Sequence, residues 1–179
     1  MNFYSIALKA EAKPLIEEFK LKKSSNSLFE IYENSDTKLI ITGMGVINSS
    51  IATTYLLTKY TISPHDNITN IGIAGCSFKA NIGECFYIDK VICYDSKSIE
   101  LLPKKEDKIY KKLTSFSTPQ DDKTIVKNSL IDMEACGFIK SAKKFIDKEN
   151  ITIIKVVSDF VDDSIPSHES ICKIIKKIL

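Results

Sequence analysis

The clearest indication of the fold is the segment KLIITGMGVINSSIATTYLLTKY, residues 38–60. Its apolar start predicts a strand, and Gly43 and Gly45 predict a turn directly after it. Apolar residues then recur every three or four positions through residues 46–60, which predicts a helix. The next apolar run, residues 68–74, predicts a second strand. A strand, a turn, a helix and another strand in this order are typical of an α/β domain.

The same alternation continues along the rest of the chain. A polar turn at residues 34–36 predicts a hairpin between residues 28–32 and residues 38–42. Residues 95–112, which include Pro103, predict a loop or a short helix. The remaining predicted strands cover residues 3–8, 85–94, 113–116, 130–133 and 151–158, and the remaining predicted helices cover residues 11–19, 121–127, 134–146 and 166–179. We therefore predict a single domain over residues 1–179, a three-layer α/β/α sandwich with a mixed, largely parallel central sheet.

Composition excludes several classes of protein. The chain has 179 residues and a net charge of +2, and 44% of its residues are hydrophobic, which is too many for a disordered chain. All 25 basic residues are lysines, which argues against sequence-specific nucleic-acid binding because arginine makes most bidentate base contacts. The apolar runs are far shorter than a bilayer span, and the N-terminus carries no secretory signal. We therefore expect a cytoplasmic protein with neither nucleic-acid nor membrane partners.

Cysteines and histidines form no pattern that is typical of a metal site. The two histidines, His65 and His168, are far apart, and the cysteines contain no CxxC pair. We therefore expect no metal and no cofactor. The five cysteines are interpreted as reduced thiols that pack as small apolar side chains: Cys76, Cys85, Cys93, Cys136 and Cys172.

Four features that could carry chemistry follow predicted strands, at the sheet edge where α/β proteins bind ligands. Glu11 follows the first strand, the glycine turn of residues 43–45 precedes a helix with free N–H groups, and residues 72–75 form a second small-residue turn. The fourth feature is a set of strand-end acids, Asp132, Glu134 and Asp159. Each acid alone has a structural explanation, such as the preference for acids at helix starts. Their convergence beside two glycine turns is a more specific arrangement.

In their order along the chain, these features resemble the motifs of the nucleoside phosphorylase and nucleosidase superfamily. The resemblance is greatest to the methylthioadenosine/S-adenosylhomocysteine nucleosidases, and it extends from near residue 3 to near residue 163. The similar segments are ALKAEAKPL (7–15), GMGVINSSIATT (43–54), NIGIAG with IGE (70–75 and 82–84), DMEA (132–135) and VVSD (156–159).

The resemblance implies cleavage of the N-glycosidic bond of a purine-type nucleoside. Breaking this bond leaves positive charge on the ribose and negative charge on the base, so a proton donor at purine N7 assists the reaction. By resemblance, Asp159 is this acid, Glu134 holds the ribose 2′-hydroxyl and Glu11 activates the attacking water. The resemblance also implies a set of substrate-binding residues: Leu8, Gly43, Gly45, Ala74, Gly75, Met133 and Glu134.

Two departures from the family pattern bear on the reaction. Phosphorylases of the superfamily usually hold phosphate with arginine, whereas this chain has Lys155 where the nucleosidases commonly have an arginine nearby. Water is therefore the predicted nucleophile, and phosphate, as in a nucleoside phosphorylase, is the alternative. The stretch between residues 94 and 133 is a few dozen residues shorter than usual. It leaves Phe116, more typical of a core side chain, as the candidate to stack on a base.

The shortened stretch keeps two further questions open. It normally carries residues that contact the base, so a non-catalytic nucleoside-binding protein is the alternative from another functional class. It also normally carries subunit contacts, and the resemblance leaves a homodimer open as the assembly.

Overall fold

The computed structural model describes residues 1–95, 97–102, 107–116, 127–161 and 166–179. Strands and helices alternate along these residues. The strands are β1 (Asn2–Ile6), β2 (Lys22–Lys23), β3 (Glu30–Glu33), β4 (Thr37–Ile41), β5 (Asn67–Cys76), β6 (Cys85–Cys93), β7 (Ser98–Glu100), β8 (Tyr110–Ser115), β9 (Leu130–Asp132) and β10 (Ile151–Asp159). The helices are α1 (Lys9–Glu18), α2 (Val46–Lys59), α3 (Ala135–Ala142) and α4 (His168–Lys176), and a 3₁₀ turn covers Lys148–Asn150.

Most predicted elements are confirmed, with bounds that differ by a few residues. The prediction of a loop or short helix for residues 95–112 is wrong in part, because β7 pairs with β6 in this region and β8 already begins at Tyr110. Strands β2 and β7 went unrecognised, since two or three largely polar residues carry too little periodicity to be read as strands. Pro103 and residues 121–126 of the predicted helix lie outside the described residues.

One mixed sheet contains the described strands. Strands β4, β1, β5 and β10 run parallel to one another, while β3 pairs with β4 and β6 pairs with β10 in antiparallel fashion. Five strands close on themselves in the order β5, β10, β6, β8 and β9, because β9 returns to pair with the end of β5. The mixed sheet is as predicted, whereas this closure was not visible in the sequence.

Two β-bulges lie in the closed part of the sheet. The register between β6 and β8 shifts between Ile88 and Lys90, and the register between β10 and β5 shifts between Val157 and Asp159. An extra residue bends its strand and turns the side chains that follow it. The second bulge therefore redirects Asp159 at the point where β10 ends.

Helices cover both faces of the sheet and give three layers. Alternate strand residues face opposite sides, and each side carries its own apolar core. The core under α1 and α4 contains Ile6, Leu15, Leu39, Ile71, Val156, Ile171 and Ile175. The core under α2 and α3 contains Phe3, Ile40, Leu56, Ile68, Phe138 and Ile153. These layers confirm the predicted α/β/α class. No helix among the described residues has both the length and the apolar character needed to cross a bilayer.

A disulfide corrects one expectation from the sequence. Cys93, the last residue of β6, is bonded to Cys136 in the first turn of α3, with a Cα–Cα distance of 5.3 Å. The two residues are 43 positions apart in the chain, so only the packing of α3 against β6 brings them together. Cys76, Cys85 and Cys172 are free thiols, as expected.

Candidate active site

A cavity of about 310 Å³ opens where β1, β5, β9 and β10 end. It lies at the carboxyl edge of the parallel strands, where α/β sheets bind ligands. Seven predicted site residues line it: Leu8, Glu11, Ala74, Gly75, Met133, Glu134 and Asp159. The cavity is also lined by Phe116, by the strand-end acid Asp132 and by residues with no predicted role: Ala7, Met44, Ile73, Ile131, Ser158, Val161 and Pro166.

The glycine turn between β4 and α2 lies beside this cavity. Gly43 and Gly45 have φ angles of +79° and +100°, which other residues rarely adopt, so glycine is needed at both positions. Met44 between them lines the cavity. Gly45 acts through its backbone N–H, which donates to Glu134 Oε1 at 2.8 Å. The turn thus positions a carboxylate rather than forming the cavity wall with its glycines.

Glu11 is buried and joins the start of α1 to β5. Its Oε2 accepts the N–H of Leu8 at 2.9 Å and its Oε1 accepts the N–H of Ile73 at 2.8 Å. Burial raises the pKa of Glu11, although Lys155 and the two N–H donors act in the opposite direction. The carboxylate is therefore fixed in place at the cavity wall and is easier to protonate than an exposed one.

Glu134 lies at the junction of β9 and α3. Burial, together with the nearby Asp132 carboxylate, raises the pKa of Glu134 to about 7. Lys155 and the N–H of Gly45 act against this rise, because both favour the ionised carboxylate. A carboxyl group with such a pKa titrates close to neutral pH, and Glu134 lines the cavity.

The bulge at the end of β10 holds Asp159 from several sides. Its Oδ1 accepts the N–H of Val161 at 2.9 Å and its Oδ2 accepts the Ser158 hydroxyl at 2.7 Å. Val161 has a φ of +65°, a rare conformation for a β-branched residue. A Cβ atom at Gly75 would come within 2.9 Å of Asp159 Oδ1, so glycine leaves the space that this carboxylate occupies. The acid is thus held in a fixed position by a strained turn.

A buried ion pair lies behind these acids. Lys155 Nζ contacts Asp132 Oδ2 at 2.8 Å, and the two side chains are 2% and 1% exposed. The same Oδ2 accepts the N–H of Ala135, the first residue of α3. Lys155 interrupts the apolar strand ITIIKVVSD, and such an interruption is the sequence signal for a buried cation. No cluster of metal-binding side chains occurs within the part of the chain that the structure describes.

Solved structures match the chain along nearly its whole length. The 5′-methylthioadenosine nucleosidase of Arabidopsis thaliana matches with a TM-score of 0.79 and 20% identity, over 98% of this chain and 88% of that chain. The 5′-methylthioadenosine/S-adenosylhomocysteine nucleosidase of Helicobacter pylori matches with a TM-score of 0.77 and 15% identity, over 98% and 92%. The futalosine hydrolase of the same organism matches with a TM-score of 0.76 and 16% identity, over 99% and 96%.

No protein-family model and no curated protein matches the chain by sequence. The structural likeness nevertheless spans β1 to α4, with the candidate cavity inside it. The chain therefore has the fold of the methylthioadenosine/S-adenosylhomocysteine nucleosidases and of futalosine hydrolase.

Proposed function

We propose that the chain acts as one nucleosidase-like domain that hydrolyses the N-glycosidic bond of a purine-type nucleoside. The observation that carries this proposal is the convergence of Glu11, Glu134 and Asp159 on one cavity, in a fold shared with nucleosidases. The cavity volume of about 310 Å³ is at the lower end of typical small-ligand sites. It is open to solvent beside Met44, which is well exposed, so a nucleoside can enter.

Ligands bound by the structural neighbours support a purine-type substrate. The Helicobacter pylori nucleosidase was solved with butyl-thio-DADMe-Immucillin-A, and the nucleosidase from Colwellia psychrerythraea was solved in complex with adenine. The Colwellia enzyme matches this chain with a TM-score of 0.71 and 15% identity, over 88% of this chain and 81% of that chain.

Asp159 is the proposed proton donor to the leaving base. Its Ser158 neighbour suits this role, because the Ser158 hydroxyl lies 2.7 Å from Asp159 Oδ2 and 3.2 Å from the carbonyl oxygen of Ala74. When Asp159 is ionised, the hydroxyl donates to it. When Asp159 is protonated, the hydroxyl accepts from it and turns its own proton to Ala74. Either state of the acid therefore keeps a hydrogen-bond partner.

Glu134 and Glu11 act on the sugar and on water. As the bond between C1′ and the base breaks, its electron pair leaves with the base and the ribose becomes cationic. Glu134 holds a ribose hydroxyl and stabilises this positive charge. Glu11 takes a proton from the attacking water, whose oxygen bonds to C1′, so the products are a free base and a free sugar.

The placement of Lys155 favours water over phosphate as the nucleophile. Phosphate would need a cation at the cavity wall, but the ammonium of Lys155 is buried and paired with Asp132. Of the described residues that line the cavity, none is a lysine. An anion entering beside Glu11 would therefore meet several carboxylates whose charge Lys155 offsets only in part.

We expect base release to proceed without phosphate. A panel of purine nucleosides with different 5′ substituents is incubated with the protein at zero and at millimolar phosphate, and free base is quantified by chromatography. The expected result is equal base release in both conditions, with free sugar as the second product. Strict phosphate dependence with a sugar 1-phosphate product identifies a phosphorylase instead. Binding without turnover in both conditions identifies a non-catalytic nucleoside-binding protein.

We further propose that the chain forms a homodimer through the exposed face of α2. Ile47 and Ile51, four residues apart on α2, are 70% and 56% exposed, and Met44 in the glycine turn before the helix is 63% exposed. Residues 44–58 contain no charged side chain, although 27% of the whole chain is charged. A two-fold contact brings the same residues of both copies together, so an uncharged face avoids repulsion between like charges. Because Met44 also lines the cavity, this contact would adjoin the cavity mouth.

Ile51→Lys is expected to convert the dimer into a monomer, because it places two like charges within an apolar contact. Light scattering coupled to size-exclusion chromatography measures the mass. The matched control is Ser35→Lys, which adds the same charge in the exposed turn between β3 and β4 and should leave the mass unchanged. A monomeric wild-type protein would contradict the proposal.

A further inference from the structure

The buried lysine behind the cavity requires an explanation beyond stability. The Lys155 side chain is only 2% exposed, and its ammonium forms a buried ion pair with Asp132. Removing two charges from water is costly, and apolar residues of similar size often replace a buried pair without loss of stability. A lysine in the middle of an apolar strand is therefore better explained by what it does to its neighbours.

Those neighbours are three carboxylates from three different elements. Lys155 in β10 interacts with Asp132 at the end of β9, with Glu134 at the start of α3 and with Glu11 in α1. Gly72 in β5 leaves room for the Glu11 and Lys155 side chains to approach each other. A Cβ atom at Gly72 would lie 3.0 Å from Glu11 Oε1 and 3.3 Å from Lys155 Nζ. Burial acts to lower the pKa of Lys155, but the three carboxylates outweigh it and raise that pKa above its usual value. The ammonium thus keeps its charge.

We infer that Lys155 is a positioning residue, the buried cation that, anchored by Asp132, keeps Glu11 and Glu134 in the charge state that nucleoside hydrolysis needs. The inference rests on the proposed function, since it assigns Lys155 a role in that reaction. One ammonium faces three carboxylates, so it offsets only part of their mutual repulsion. Asp132 holds the ammonium in place through the ion pair. The positive charge of the ammonium also acts on Glu11 and Glu134, where it favours the ionised carboxylates.

Lys155 and Asp132 therefore act on the glutamates in opposite directions. The cation favours ionised Glu11 and Glu134, while the Asp132 carboxylate favours their protonated forms. Without Lys155, both glutamates would retain their protons to higher pH, and Glu11 would be less able to accept a proton from water. Without Asp132, both would lose their protons at lower pH.

The test compares Lys155→Met with Asp132→Asn. The protonation of Glu134 is followed by ¹³C NMR of protein labelled at glutamate side chains, and its signal is identified by its loss in Glu134→Gln. We expect Lys155→Met to raise the titration midpoint of Glu134 and Asp132→Asn to lower it, each by about one pH unit. The acidic limb of the pH–rate profile for base release should move in the same two directions.

A purely structural ion pair predicts a different outcome. Both variants break the same pair, so both would lose stability, and neither would move the titration of Glu134 in a direction that depends on which charge was removed. Shifts in the same direction, or no shifts, overturn the inference. If Lys155→Met does not fold, Asp132→Asn is compared with the double variant Lys155→Met/Asp132→Asn, in which loss of the lysine should again raise the midpoint.

The NMR measurement also separates this inference from the proposed function. It requires a folded protein but no substrate and no turnover. If the wild type cleaves no nucleoside while the two variants shift Glu134 in opposite directions, the hydrolase proposal fails and the charge-setting role of Lys155 stands.

Discussion

Asp159→Asn is expected to lower the rate of base release by roughly 100- to 10,000-fold, the contribution that a general acid typically makes, while nucleoside binding persists. The substituted side chain keeps its size and its acceptor for the N–H of Val161. Its amide group donates to the Ser158 hydroxyl, which turns its own proton to the carbonyl of Ala74 at 3.2 Å. The fold of the turn is therefore preserved, and only the transferable proton is lost.

Steady-state kinetics and calorimetric binding together check this expectation. The matched control is Asp36→Asn, the same chemical change in the exposed turn between β3 and β4, which should leave the rate unchanged. If Asp159→Asn keeps the rate within a few-fold of the wild type on a purine nucleoside, Asp159 is not the acid. The bulge that presents it would then serve only the fold.

Glu11→Gln is expected to reduce hydrolysis by a similar factor, because the amide cannot accept a proton from water. The structure adds a second consequence that the sequence did not suggest. Both carboxylate oxygens accept backbone N–H groups, so the amide NH₂ of glutamine must face either Leu8 N–H or Ile73 N–H. Leaving a buried donor unsatisfied costs about 1–3 kcal/mol, so we also expect a lower melting temperature.

Single-turnover base release, nucleoside affinity and thermal melting separate the two effects of this substitution. Glu17→Gln is the matched control on the same helix, since Glu17 is exposed and should affect neither the rate nor the melting temperature appreciably. A folded Glu11→Gln protein that hydrolyses nucleosides normally would show that Glu11 only joins α1 to β5. A folded protein that binds nucleoside but does not hydrolyse it supports the base role.

The order and type of most elements follow from local patterns in the sequence. Apolar runs of four to eight residues and helical spacing of apolar side chains are local patterns. The structure has the predicted elements because these side chains pack into the two apolar cores. Local patterns also indicated that Glu11, Glu134 and Asp159 follow strands. The parallel strands β1 and β10 end at one sheet edge, which accounts for Glu11 and Asp159 at one cavity. Glu134 reaches the same cavity because β9 pairs antiparallel with the end of β5, and this pairing is a tertiary contact.

Other features depend on contacts between residues that are distant in the chain, and these appear only in the folded protein. The Cys93–Cys136 bond joins residues 43 positions apart, and the closure of five strands requires β9 to pair with the end of β5, which lies far from it in the chain. The environment of Lys155 is the clearest case. In the sequence it stands among apolar residues as one of 25 lysines, and only the folding of α1, β9 and the start of α3 around β10 surrounds it with three carboxylates. Charge interactions act through space, so burial and the chain topology together determine which acids hold their protons.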